Sequence, residues 1–169
     1  MFLKDFYGRF VRGLCVLILA CACFATAQHG AQSAEPLRVA GDLQAAAQLA
    51  RERRAPVLLA FMLTSCPYCA TARRDYLAPM QASEQWRNKV VMREVVLDSD
   101  SALRDFGGES VTAREFAKRY GIRSVPTVIV FDDNGAQVTQ PLVGLSASDF
   151  YGLYLEQAVE AGLLKMRNP

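Results

Sequence analysis

Two cysteines three positions apart, Cys66 and Cys69, are the residues of this sequence best suited to chemistry. They stand as Cys66-Pro67-Tyr68-Cys69, after the apolar run Val57 to Leu63 and before a helix-compatible stretch to about Ala78. Such a run reads as a strand buried on both faces. Pro67 suits the first position of a helix, where its missing N–H and fixed φ cost nothing. Cys66 is therefore expected at a helix N-terminus, where free N–H groups and the positive dipole end favour a thiolate. Cys69 is expected near one turn inside, close enough for a disulfide yet further from solvent. An exposed thiolate that attacks and a protected thiol that resolves the mixed disulfide are what thiol–disulfide exchange needs.

Other chemistries fare less well. Two thiolates can hold Cu(I), with Met62 or Met80 as soft ligands, although each methionine is more simply read as core packing. A lone C-x-x-C supplies two of the four ligands that zinc requires. Asp98, Asp100 and Glu109 fall at positions 1, 3 and 12 of a calcium loop, but Ala102 and Leu103 occupy its fifth-ligand and glycine positions. The single histidine, His29, lies in the small polar stretch of residues 28–35. No metal and no other cofactor is expected.

The remaining cysteines, Cys15, Cys21 and Cys23, belong to an apolar run from Leu14 to Ala27 that follows Lys4, Arg9 and Arg12. A positive start, a short apolar centre and the small-residue exit Ala25-Thr26-Ala27 describe a secretory signal peptide. Residues 1–27 are read as that signal, 28–36 as a flexible leader and 37–169 as the folded domain. The expected location is the periplasm. The alternative is a membrane tether through an uncleaved anchor or a lipidated Cys21. Cleavage leaves only Cys66 and Cys69, too close in sequence for their bridge to restrict the unfolded chain much.

The 169 residues suffice for one domain, and 51% hydrophobic against 21% charged residues favours a folded core. The first 27 residues account for the whole net charge of +2, so the remainder is formally neutral. That argues against a nucleic-acid partner, which needs a net basic face.

The elements that must position the cysteines follow from periodicity. Asp42 caps a helix with Leu43, Ala46, Ala47 and Ala50 on one face, ending in Arg51-Glu52-Arg53-Arg54. Further strands are expected at Val90 to Leu97, Ile122 to Phe131 and Ala136 to Val143, the last two joined by Asp133-Asn134-Gly135 as a hairpin. Residues 98–108 read as loop. Thr112 to Glu115 form a capping box for a helix closed by Gly121, and residues 146–149 cap a last helix to about Leu163. Trp86 reads as a packed aromatic. The order α-β-α-β-α-β-β-α predicts an α/β fold, a central mixed sheet of about four strands with helices on both faces.

With Phe61 five residues before the first cysteine, this element order, and Ile122-Arg123-Ser124-Val125-Pro126-Thr127, the sequence resembles the thioredoxin superfamily from about Val57 to Leu163. The resemblance implies a thioredoxin fold and a cis Pro126 facing the disulfide. It also implies a substrate groove built from Val125, Pro126 and Thr127, the backbone of Val125 pairing with the substrate. The Cys-Pro-Tyr-Cys, the inserted Asp105 to Glu109 and the leader are similar to those of SoxW-like periplasmic thioredoxins. That similarity implies a reductase of periplasmic protein disulfides, itself kept reduced by a membrane electron donor. A disulfide-donating oxidase is the neighbouring alternative. Tyr68 argues against it, because a strongly oxidising relative would carry histidine there. Two positions depart from the family pattern: Ser65 stands where Trp often precedes the first cysteine, and Ala60 where cytosolic thioredoxins bury an Asp. Glu94 on the neighbouring strand is the candidate substitute for that acid. Its simpler reading is a solvated strand residue, as Arg73 reads as a solvated helix residue.

Overall fold

The computed structural model describes residues 35–145 and 148–167. The expected signal segment with Cys15, Cys21 and Cys23, residues 28–34 of the leader with His29, and Ser146 and Ala147 of the last cap lie outside the described residues.

Helix α1 (Leu43–Arg53) starts where the Asp42 carboxylate accepts the N–H of Ala45 at 2.9 Å. It stops at Arg54, whose left-handed φ of 49° lets its N–H close on the last carbonyls. Strand β1 (Val57–Met62) follows, with every residue buried. Its side chains alternate between two cores. Leu58, Ala60 and Met62 meet Ala72, Leu77, Tyr151 and Leu155 on one side. Val57, Leu59 and Phe61 meet Leu43, Ala46, Ala50 and Phe116 on the other. Helices cover both faces, so the strand shows no polar alternation.

The next helix is longer than expected and comes in three pieces: α2 (Pro67–Ala72), a π-helical turn (Arg73–Leu77) and α3 (Ala78–Ala82). Pro79 supplies the reason. It has no N–H and its ring would crowd the carbonyl four residues earlier, so the preceding turn widens instead of the helix ending. Strand β2 (Val91–Val96) runs parallel to β1, with Glu94 opposite Ala60. Trp86, in the connection, is buried with the Lys89 ammonium 5.2 Å from its ring centre.

The expected loop after β2 contains a small hairpin, β3 (Ala102–Arg104) against β4 (Ser110–Thr112). Each strand buries one side chain, Leu103 or Val111, too few for a period to show in the sequence. The insert between them is anchored: Arg119 bonds both Asp105 and Glu109. Helix α4 (Ala113–Arg119) opens on the expected capping box, with Glu115 N–H on the Thr112 hydroxyl at 3.2 Å and the Glu115 carboxylate on Thr112 N–H at 2.9 Å.

Strand β5 (Thr127–Phe131) pairs antiparallel with β1 and is shorter than the expected Ile122–Phe131. Pro126 has no N–H for the ladder, and the Thr127 hydroxyl instead closes a turn on the Ser124 carbonyl at 2.8 Å. The hairpin that follows is real, but its second strand is reduced to β6 (Leu142–Val143) with an isolated bridge at Gln137. Pro141, with no donor to give, interrupts the run expected from Ala136. Helix α5 (Ser148–Arg167) lies on the face of α2 and α3, through Tyr151, Leu155, Val159 and Leu163. The sheet order is β2-β1-β5-β6.

Gly135 closes the turn between β5 and β6 at φ +81°, and a Cβ there would lie 2.5 Å from the Phe106 ring. Gly135→Ala should therefore destabilise the domain by about 1–3 kcal/mol from backbone strain alone. Urea unfolding checks this, and relief in Gly135→Ala/Phe106→Ala would isolate the ring clash.

Candidate active site

The cysteine pair sits where β1 runs out and α2 begins, at the centre of the sheet. The chain between them is tied to the neighbouring strand. Asp98, just past β2, accepts the Thr64 N–H at 3.0 and 3.1 Å on its two oxygens and the Thr64 hydroxyl at 3.1 Å. The Thr64 N–H holds the Asp98 carboxyl below its ordinary range. Asp98 thus braces the loop two residues before Cys66, a role its place in a calcium template did not suggest.

Cys66 is the N-cap of α2, and its Sγ accepts the N–H of Cys69 at 3.2 Å. A backbone donor is therefore aimed at the sulfur that would carry charge in the attacking form. Pro67 takes the first helical turn and Tyr68 stands 67% exposed beside the thiols. Cys66 is partly exposed, Cys69 is fully buried, and both are free thiols. Burial pushes the Cys69 thiol from 9.0 up to about 11, with the hydrogen bond to Cys66 adding to the rise. The Leu63 backbone and the Arg73 charge oppose it. The two sulfurs differ in access and in donors, as an attacking and a resolving thiol must.

A pH dependence follows. A thiol harder to ionise in the folded chain than in the unfolded one stabilises the fold while neutral. The contribution of Cys69 should be complete below about pH 9 and disappear as pH rises through about 11. Urea unfolding of the reduced protein beside Cys69→Ala should show the wild type losing ground across that window.

The Val125–Pro126 peptide bond is cis. Val125 and Cys66 pack against the same buried cluster that contains Cys69. Pro126 is buried and its carbonyl accepts the Gly144 N–H at 2.7 Å. Thr127 is also buried, with its hydroxyl turned back to Ser124, so it holds the loop from behind. Met62 and Met80 are buried within the same apolar cluster as Cys69.

Glu94 and Arg73 correct the expectation that both are solvated. Glu94 is 5% exposed. The Arg73 Nε donates to Glu94 Oε1 at 2.9 Å, and Nη2 bonds the same oxygen and the Leu63 carbonyl, the latter at 3.1 Å. Half-buried Arg73 supplies the partner that makes the burial of Glu94 tolerable. The spacing signal was present: Arg73 stands four residues after Cys69, on the helix face that meets the sheet.

The thioredoxin-like domain family matches residues 43–158. Among solved structures, the thioredoxin of Malassezia sympodialis is similar at 19% identity and a TM-score of 0.51, covering 76% of this chain and 95% of its own. Mitochondrial thioredoxin 3 of Saccharomyces cerevisiae, in its oxidised form, is similar at 15% identity and a TM-score of 0.49, covering 73% and 93%. No curated protein matches the chain. The sheet order, the helices on both its faces and the family match over most of the chain agree, and the chain belongs to the thioredoxin-like domain family.

Proposed function

We propose that this chain is an exported thiol–disulfide oxidoreductase that reduces disulfides of periplasmic proteins, in the manner of the SoxW-like thioredoxins. The observation that carries this is the asymmetry of the pair: Cys66 is partly exposed with a backbone donor on its sulfur, while Cys69 is buried and neutral. Cys66 thiolate attacks a client disulfide. One new S–S bond joins Cys66 to a client sulfur, and the second client sulfur leaves as a thiolate. Cys69 then loses its proton and bonds to Cys66, and the remaining client sulfur departs and takes up a proton. Two electrons pass from the dithiol to the client. A dithiol reductant must return them, and an exported chain meets one at the membrane, where electrons enter an oxidising compartment.

Tyr68 gives the direction. It is an exposed phenol, so it offers no cation to stabilise the reduced form. Equilibration with glutathione buffers should place the Cys66–Cys69 couple in the reducing half of the span from about −270 mV for thioredoxin to about −120 mV for a strong oxidant. Insulin reduction driven by a dithiol should accompany it. A potential at the oxidising end would make the protein a disulfide donor instead. For export, mass spectrometry of the secreted protein should find Gln28 at the mature N-terminus, whereas an acylated Cys21 would mean a tethered enzyme.

A further inference from the structure

On the face of β2 that meets α1, the apolar alternation is broken once. Val91 and Val95 enter the core beneath that helix, and Arg93 stands between them, opposite Leu59 of β1. A strand face turned to a core continues as apolar unless the position serves something else. Arg93 is half-buried, and its Nη1 donates to the Met92 carbonyl at 2.8 Å. Its Nε and Nη2 have no partner among the described residues.

Two further arginines are set around it. Residues 38–40 run parallel to the outer edge of β2: the Glu94 N–H donates to the Arg38 carbonyl at 2.9 Å, and the Ala40 N–H to the Glu94 carbonyl at 2.8 Å. That register puts Val39 level with Glu94 and Arg38 level with Arg93. Level residues of parallel neighbours share a face, as Ala40 and Val95, two positions on, share the core beneath α1. Arg53 comes from the helix above. It follows Ala46 and Ala50 on the stripe that α1 turns to the sheet, and its Nη1 donates to the Arg87 carbonyl at 3.1 Å, on the connection into β2. Burial first, then the charges of Arg38 and Arg53, hold Arg93 below its ordinary pKa.

None of the three forms an ion pair among the described residues. The carboxylates next to them in sequence are engaged elsewhere, Glu52 with the Gln48 amide at 3.2 Å and Glu94 with Arg73 on the other face of the sheet. Like charges level with one another on adjacent strands destabilise a sheet, so the fold gains nothing by the arrangement. A long stem laid over apolar residues accounts for Arg93 alone, not for the two guanidinium groups brought to it. We propose that Arg38, Arg53 and Arg93 form a binding site for a phosphate group. Guanidinium forks match the oxygens of a tetrahedral anion in pairs, and a doubly charged group offsets more of the repulsion among three cations than a carboxylate does. The site borders the core beneath α1, whereas Cys69 lies in the core on the opposite face of the sheet, so the site stands apart from the thiol chemistry.

Calorimetric titration of the purified protein with inorganic phosphate, in chloride buffer at neutral pH, should show one saturable site. Sulfate, of the same shape and charge, should compete, and acetate should not. Arg93→Gln should weaken binding about tenfold or more, and Arg38→Gln about threefold or more. Arg38 is exposed, so its variant carries the test independently of how well Arg93→Gln folds. Lys118→Gln removes the same charge from the exposed side of α4 and should change binding less than about twofold. Vesicles separate the sources of the phosphate. Cosedimentation with phosphatidylcholine vesicles containing phosphatidic acid, lost in Arg38→Gln, assigns the site to a lipid headgroup, whereas saturable phosphate binding without cosedimentation assigns it to a free phosphate. Absence of saturable binding to phosphate and to the vesicles overturns the proposal. So does acetate competing as well as sulfate, or a loss in Lys118→Gln equal to that in Arg38→Gln. Any of these leaves the oxidoreductase reading standing, since insulin reduction tests that separately.

Discussion

Cys66→Ser should bring disulfide reduction down to the assay background, while Cys69→Ser should lose turnover yet accumulate covalent adducts with its clients. The difference comes from where the sulfurs sit. Of the two described cysteines only Cys66 is partly exposed, and its sulfur receives the Cys69 N–H at 3.2 Å. On the proposed mechanism, a serine at Cys66 removes the thiol that opens a client disulfide. A serine at Cys69 leaves that attack intact and removes the thiol that ends it, so the mixed disulfide persists. Non-reducing electrophoresis of each variant with insulin, followed by mass spectrometry of the adducts, checks this. Equal trapping by the two variants would show that both sulfurs can attack, and the assigned roles would fall.

Phe61→Ala should be the most damaging apolar truncation in the sheet, costing about 3–5 kcal/mol. Phe61 is fully buried on the central strand and stacks on Phe116 with ring centres 6.1 Å apart. Its neighbours are Val95 on β2 and Thr127 on β5, in register on either side. Two hydrogen-bonded strands flank it and a helix covers it, so the surroundings have little freedom to collapse into the space left. Urea unfolding should show a lower midpoint with an unchanged slope. A loss under about 1 kcal/mol would mean that α4 and its ring relax into the gap.

These two results draw on parts of the molecule that were plain in the sequence. The apolar run of β1, Pro67 at the start of α2 and the spacing of Cys66 and Cys69 each follow from local chemistry, and the structure places them accordingly. The capping box of α4 and the turn at Gly135 were legible for the same reason. Features that depend on residues far apart were not. Burial of Glu94 is decided by Arg73, twenty-one positions away, and neither charge alone announces it. The Asp98 brace needs β1 and β2 to end side by side. The β3–β4 hairpin is too short for alternation to register, and the ends of β5 and β6 are set by where Pro126 and Pro141 withhold an N–H.

The π-helical turn at Arg73–Leu77 has a consequence for how this chain can change length. It behaves as one residue inserted into an otherwise regular helix, with the cysteines keyed to one side of the insertion and Met80 to the other. Deleting one residue there would draw the turn tighter and leave the helix beyond it facing as before. Ala78 and Met80 would stay turned into the core, and the cysteines would keep their place. In a lineage of such chains, this turn is where a gap in the alignment should need no coordinated replacement of the apolar residues on either side of it.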